Sequence, residues 1–275
     1  MKSKFMFGLL TGALIMSLIL SVHALATKKA ITIKGSTTVL PIAQACAEAF
    51  MNRHSDIDIS IQGGGSGVGI ASIIDGTCDI GNSSRPIKDK EKERAEEKGI
   101  QVYENMMALD GIAVIVHPSN PVSELAKDQI KAIYTGKISD WSEVGEKKGK
   151  IVVTSRDSAS GTFEAFNDLA LDRERVRPDS LLNASNNAAA MTVARTPGAI
   201  GYVGLAYLSP KVKSLKVNGV EPTKENVVNG SYVLARKLFM YTKGEPEGII
   251  KQFVDFILSS DGQKLVDKAG FVPLK

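Results

Sequence analysis

The sequence predicts an α/β protein of two domains, and three observations carry that expectation. Short β-branched runs alternate with amphipathic helical patterns through almost the whole chain, as in largely parallel sheets covered by helices. Three runs rich in Gly, Ser and Thr each stand where a predicted strand hands over to a helix: Gly35-Ser36-Thr37-Thr38, Gly63-Gly64-Gly65-Ser66-Gly67 and Ser158-Ala159-Ser160-Gly161-Thr162. Pro118, Asn120 and Pro121 then interrupt the pattern, and the βα alternation restarts behind them.

The chain opens with Met-Lys-Ser-Lys, an apolar run from Phe5 to Val22, and the small-residue site Ala24-Leu25-Ala26. These are the parts of a secretory signal peptide, expected to span residues 1–26 and to be cleaved after Ala26. No Cys follows the run closely, so lipid attachment is not expected there. Loss of Lys2 and Lys4 takes the formal net charge from +4 to +2. The remaining Lys and Arg are interspersed with comparable Asp and Glu, which argues against a nucleic-acid partner. A hydrophobic content of 43% is that of a globular chain, and about 250 mature residues suffice for two ordinary domains.

Ala30 to Lys34 reads as the first strand. Pro41 starts the helix behind it, a residue favoured in the first turn, with Ile42, Ala45, Cys46, Ala49 and Phe50 on one face. Ile57 to Gln62 alternates as a second strand, Val68 to Ile74 follows as a short helix, and Cys78 to Gly81 is the third strand. Lys88 to Lys98 mixes Lys, Glu, Asp and Arg as a solvated helix laced by i,i+4 pairs does. Gly111 to His117 is an apolar strand at which the domain changes. The second unit has helices at Lys127–Tyr134, Thr162–Leu171 and Asn187–Thr196, with strands at Ile151–Ser155 and Ala199–Val203. Strand Lys237–Tyr241 and helices Gly248–Leu258 and Asp261–Ala269 carry no further anion loop and are read as a return to the first domain.

The glycine-rich runs have a shared chemistry. A helix's first N–H groups lack intrahelical partners, the helix dipole adds partial positive charge, and Gly lets an oxyanion approach the main chain. Cys46 and Cys78 sit in apolar contexts, as buried small hydrophobes do, while a single disulfide is the alternative. No clustered spacing of metal ligands is visible, so neither metal nor cofactor is expected. With His23 lost in the leader, His54 and His117 fall in no recognisable triad with a nucleophilic serine, and an enzyme is not expected.

Taken in order, Gly35-Ser36-Thr37-Thr38, Gly64-Gly65-Ser66-Gly67-Val68-Gly69, Asp79-Ile80-Gly81-Asn82-Ser83-Ser84-Arg85, Thr135-Gly136-Lys137-Ile138-Ser139-Asp140-Trp141, Ser155-Arg156 with Ser160-Gly161-Thr162, and Gly198-Ala199-Ile200-Gly201-Tyr202-Val203-Gly204 form a specific set. In that order they make the chain resemble the phosphate-binding proteins of bacterial phosphate ABC transporters, over nearly its whole mature length. The resemblance implies a type II periplasmic binding protein: two domains, each a mostly parallel sheet flanked by helices, joined by a two-strand hinge. The expected bounds are 27–112 with 230–275 for the first domain and 113–229 for the second. It further implies a monomer in the periplasm that closes on inorganic phosphate and delivers it to a permease in the inner membrane.

The ligand set the resemblance implies is Ser36, Thr37, Thr38, Ser66, Ser84, Arg85, Arg156, Ser160, Gly161 and Thr162. Short neutral donors suit an anion whose hydration must be replaced almost completely, and Arg offers paired bonds to two oxygens. For Thr37 and Thr38 the alternative is capping of the helix they precede. For Arg85 it is fixing its loop by pairing with a carboxylate. Asn186 and Asn187 are read first as caps, with the cleft as their other use, and Asp157 as a partner of Arg156 or a solvated residue. Some members of that family carry Asp where Ser84 stands, and a carboxylate accepts the proton that phosphate has and sulfate lacks. Sulfate, molybdate or tungstate therefore remain alternative ligands.

Overall fold

The computed structural model describes residues 29–145 and 148–274; the expected signal peptide lies outside them. In chain order the strands and helices are β1 (Lys29–Gly35), α1 (Leu40–Met51), β2 (Ile57–Gln62), α2 (Ser66–Ile74), β3 (Ile80–Ser83), α3 (Asp89–Glu97) and β4 (Val102–Val116). Then come β5 (Glu124–Leu125), α4 (Lys127–Thr135), β6 (Val152–Arg156), α5 (Gly161–Ala170), β7 (Leu181–Asn183), α6 (Asn186–Arg195) and β8 (Ala199–Gly204). The last elements are β9 (Lys213–Ser214), β10 (Lys216–Val217), α7 (Lys224–Val228), β11 (Ala235–Lys243), α8 (Gly248–Leu258) and α9 (Ser260–Lys268).

One curled sheet runs in the order β2-β1-β3-β11-β4-β8-β6-β7, with β9 beside β4. Its two ends are parallel: β1 pairs in parallel with β2 and β3, and β6 with β7 and β8. The middle is antiparallel, because β11 and β4 carry the chain between the two halves. β4 is the continuous element. Its Val102–Gly111 portion pairs with β11 and its Ile112–Val116 portion with β8. It begins well ahead of the Gly111 expected from the apolar pattern, since Glu104, Asn105 and Asp110 interrupt that pattern in its first portion.

The burial pattern explains the layers. In β11, Leu238 and Met240 face one side and Phe239 and Tyr241 the other, and all four are buried, as a strand covered on both faces requires. On the first side Ile31 and Ile33 meet Ile42, Cys46 and Phe50 of α1 and Phe253, Ile257 and Val266 of α8 and α9. The buried alanines of α1 are Ala43 and Ala47 rather than Ala45 and Ala49, a rotation of the expected face by part of a turn. On the second side Ile70, Ile73 and Ile74 of α2 and Ala95 of α3 close the layer. A separate core fills the other half of the sheet, where Phe166 stacks on Tyr202 with centroids 4.0 Å apart and Tyr134 packs edge-on against Phe166. Two cores on one curled sheet make the two-domain arrangement that the alternation predicts.

Both cysteines are unpaired; Cys46 is fully buried, and burial pushes its thiol up to about 12 and that of Cys78 up to about 11. No helix among the described residues is long and apolar enough to cross a membrane.

Candidate functional site

The strand-to-helix loops meet where the two halves of the sheet face each other. Gly67 N donates to the Ala159 carbonyl at 3.0 Å, joining the loop before α2 to the loop before α5. Gly65, at φ 100°, is required there: a Cβ would collide with the Ala159 carbonyl and would be strained in any case. Gly161 opens α5 directly under Ser66, and a Cβ on it would overlap Ser66 Oγ and lie 2.9 Å from Ser84 Oγ. Across the same gap Thr38 Oγ1 and Thr162 Oγ1 are 2.9 Å apart.

The structure brings Ser36, Thr37, Thr38, Ser66, Ser84, Arg156, Ser160, Gly161 and Thr162 into one buried cluster, none of the side chains more than 8% exposed. Local structure says why each sits there. Ser36 Oγ accepts from the amides of Thr38 (3.1 Å) and Val39 (3.4 Å), so Ser36 turns the chain into α1. Thr37 and Thr38 are thereby relieved of capping and their hydroxyls turn to the cleft. Ser66 Oγ accepts from Ser84 N at 2.9 Å and lies 3.3 Å from Ser84 Oγ, which ties α2 to the end of β3. Ser160 is the N-cap of α5, accepting from Phe163 N at 3.2 Å. The Gly161 and Thr162 amides are the first-turn donors that a helix leaves for an outside acceptor.

Arg156 is the cation that the expected set brings to the cluster. It is 2% exposed, and its Nε and Nη2 donate to the carbonyls of Asn183 (2.8 Å) and Ala184 (3.1 Å). Nη2 also reaches Thr37 Oγ1 at 3.3 Å. Nη1 is buried without a hydrogen-bond partner among the described residues. Burial lowers the Arg156 pKa, and no carboxylate forms an ion pair with it among those residues. Asp157 instead stabilises its own loop, accepting from Ala159 N at 3.0 Å.

Arg85 stands apart from this cluster in the carboxylate-pairing arrangement that was its alternative. Nη1 and Nη2 hold Glu91 of α3 at 2.7 Å each, and Nη1 also donates to the Pro86 carbonyl. Nε sits 2.5 Å from Glu164 Oε2, a charge contact rather than an aligned hydrogen bond. Burial opposes the Arg85 charge, but the two glutamates outweigh it and raise its pKa. Helix α3 is thus not merely solvated: Glu91 clamps Arg85, and Arg94 and Lys98 reach Asp75 across to α2. Glu164 also takes Lys88 Nζ at 2.7 Å, so α5 is bridged to the β3–α3 loop by two cations.

Three site residues escaped the expected set. Asn186 is not the cap of α6, a role Ser185 fills by accepting from Ala188 N. Fully buried, Asn186 donates to Thr37 Oγ1 (3.2 Å) and Thr38 Oγ1 (3.0 Å) and accepts from Gly204 N (3.1 Å). Arg236 and Asp110 form a buried ion pair, with Nε and Nη2 at 3.0 and 2.8 Å from Asp110 Oδ2, and Arg236 Nη2 continues to Thr38 Oγ1 at 3.2 Å. Burial raises the Asp110 pKa against the pull of Arg236. The pair marks the point where β4 and β11 cross between the halves.

Chemically the cluster is a nest of hydroxyl, amide and guanidinium donors, suited to a tetrahedral oxyanion. Among the described residues no histidine joins it: His117 bonds Ser119 and His54 stacks on Phe50. Among the described residues no group of His, Cys, Asp and Glu is placed to hold a metal ion.

The chain matches the model of the PBP superfamily domain over residues 21–261. It is 38% identical over 246 residues to the phosphate-binding protein PstS of Bacillus subtilis, covering 89% of this chain and 80% of that one. It is 36% identical over 253 residues to PstS of Staphylococcus epidermidis, at 87% and 77% coverage. The fold superposes with a TM-score of 0.85 on a putative phosphate ABC transporter substrate-binding protein with bound phosphate from Clostridium perfringens, 38% identical, covering 90% of this chain and all of the other. A phosphate transport receptor from Vibrio cholerae aligns at 0.73 with 30% identity, covering 88% of this chain and 99% of that one.

Proposed function

We propose that this chain, which belongs to the PBP superfamily, is the substrate-binding protein of a phosphate ABC transporter: it captures inorganic phosphate between its two domains and hands it to a membrane permease. The observation that carries the reading is Arg156 Nη1, a buried guanidinium nitrogen without a partner among the described residues, set among hydroxyls and the open end of α5. A buried donor left unsatisfied costs about 1–3 kcal/mol, and an oxyanion accepting from it removes that cost. Thr37, Ser66, Ser84, Ser160, Gly161 and Thr162 then supply the donors that replace the anion's hydration shell, with Ser36 shaping their loop and Thr38 orienting Thr162 beside them.

The first domain comprises 27–112 and 230–275 and the second 113–229, a division supported by the separate cores, although Tyr232 and Leu234 pack with the second core and draw the return crossing toward Arg236. The two crossings, near Asp110 and Arg236, serve as the hinge for closure on the ligand. The protein acts as a monomer on the periplasmic side of the inner membrane, after removal of residues 1–26, and performs no catalysis. Calorimetric titration of the mature, phosphate-stripped protein with phosphate, repeated in excess sulfate, tests the reading. Binding that persists in sulfate supports a phosphate carrier. No phosphate heat, or complete displacement by sulfate, transfers the same fold to another oxyanion.

A further inference from the structure

We infer that Asn186 and Arg236 are positioning residues that make the Thr37 and Thr38 hydroxyls obligate donors, so that the site takes phosphate as its dianion in preference to its monoanion. The inference rests on the phosphate-binding reading above and adds the charge state of the ligand to it. A threonine hydroxyl has one proton and two lone pairs. Thr37 Oγ1 receives Arg156 Nη2 at 3.3 Å and Asn186 Nδ2 at 3.2 Å. Thr38 Oγ1 receives Asn186 Nδ2 at 3.0 Å and Arg236 Nη2 at 3.2 Å. None of these nitrogens can accept, so both lone pairs of each hydroxyl are filled and each proton has to point elsewhere. That of Thr38 goes to Thr162 Oγ1, 2.9 Å away, and that of Thr37 is left for the ligand.

The amide of Asn186 cannot flip out of this arrangement. Its Oδ1 accepts from the Gly204 amide, which leaves Nδ2 facing the two threonines. Arg236 is locked in the same way by Asp110, which is fully buried. Ser36 completes the pattern, because its oxygen already accepts from two amides. The whole β1–α1 loop is therefore wired to donate. Arg156 and the amides opening α5 only donate as well, and Ser84, whose hydroxyl bonds only Ser66 Oγ among the described residues, is the residue after β3 left free to accept a ligand proton. A phosphate oxygen that carries a proton finds a donor opposite it at Thr37, an unfavourable pairing that the dianion avoids by turning its single P–OH toward Ser84. The charged and titratable groups facing this loop are Arg156, Arg236, Asp110, Tyr207, whose Oη donates to the Thr37 carbonyl, and Tyr202 behind Arg156. Burial holds both tyrosines up at about 12 and raises the Asp110 carboxyl against the pull of Arg236, and Asp157 stands beside Arg156.

The test is the phosphate affinity of the mature protein from about pH 5.5 to about pH 8.5, which brackets the second ionisation of a phosphate group, with sulfate titrated in parallel. Sulfate gains no proton over this range, so any loss of sulfate affinity on the acid side reports the protein, Asp110 included. The expected wild-type result is phosphate affinity falling by up to about tenfold per pH unit below that ionisation, with sulfate affinity nearly level. Asn186→Ala frees the Thr37 hydroxyl to rotate; it is expected to bind phosphate about tenfold more weakly at the alkaline end and to converge on wild type at the acid end. Thr37→Ser keeps the hydroxyl and both incoming bonds, and is expected to keep the wild-type slope. Parallel profiles for wild type and Asn186→Ala, or a wild-type profile as level for phosphate as for sulfate, would overturn the inference. A wild-type protein with no phosphate affinity at any pH defeats the functional reading instead.

Discussion

Gly161→Ala separates binding from stability. The added methyl falls inside the contact distance of Ser66 Oγ and 2.9 Å from Ser84 Oγ. Ser66 is fully buried and cannot rotate aside without breaking the 2.9 Å bond from the Ser84 amide, so relief has to come from parting the two loops by about 1 Å. That gap lies between donors of the two domains. A 1 Å misplacement of a positioned group costs on the order of a hundredfold, and losing one or two charge-assisted bonds at about 1.5–3 kcal/mol each agrees with it. The fold has no such stake: Gly161 has no left-handed φ, it opens a helix, and Ala there gains about 0.4–1 kcal/mol through the unfolded chain. The variant is thus expected to melt within a few degrees of wild type without ligand, and to lose most of the upward shift that saturating phosphate gives the parent, about 4 kcal/mol at a thousandfold excess over Kd. Calorimetry supplies the affinity and differential scanning the melts. An affinity within threefold of wild type would show that the close approach of Gly161 to Ser66 does not set the spacing of the donors, and the site geometry would be wrong.

Arg156→Ala is expected to weaken phosphate binding at least tenfold with the fold intact, and Arg156→Lys to recover only part of it, because an ammonium cannot hold the Asn183 and Ala184 carbonyls while reaching the anion; unchanged titrations for Ala would remove the residue from the site. Glu164→Gln removes the bridge to Arg85 and Lys88, and since Lys88 is half exposed while Arg85 is buried, about 1 kcal/mol is at stake. Stopped-flow release should then be roughly fivefold faster and less sensitive to salt, whereas equal release rates at low and high salt in both proteins would deny the bridge a part in closure. Burial pushes the Glu91 carboxyl up, but the Arg85 hydrogen bonds and charge outweigh it and hold its pKa below the usual 4.5. A carboxyl depressed in the folded state stabilises above its unfolded pKa and loses that contribution as pH falls through the folded one. Glu91→Gln should therefore be less stable by about 1 kcal/mol near neutrality, with the two denaturation curves converging as pH falls through the depressed Glu91 pKa; a constant gap from neutrality into acid would contradict the assignment.

The fold was legible because its signals are local and repeated. Ile57 to Gln62 alternates, Pro41 marks a first turn, and the apolar face of α1 differs from its expected position by only part of a turn. The loops were legible for the same reason: Gly65 and Gly161 stand where no side chain fits. What failed were residues whose role depends on a partner far along the chain. Arg85 looked like a ligand because it follows Ser84, and only the return of Glu91 from α3 and Glu164 from the other domain shows where its charge is used.

Asn186, Asp110 and Arg236 failed for a different reason, and the sequence does hold a trace of two of them. Asp110 interrupts the apolar run of β4, which also carries Glu104, and Arg236 stands in β11 beside exposed Lys237, with Lys243 at the strand's end. A charge is almost never fully buried unless paired, so a charge inside an apolar run hints at a buried partner, but with more than one charge in each strand the pattern does not say which two meet. The structure supplies the choice, pairing Asp110 with Arg236 where β4 runs beside β11. Nor does the pattern reach Thr38, because the step from a buried pair to an oriented hydroxyl needs the 3.2 Å distance itself. Donors that the loops bring to the cleft are therefore readable from loop chemistry, while residues that orient those donors become visible only when each lone pair is assigned.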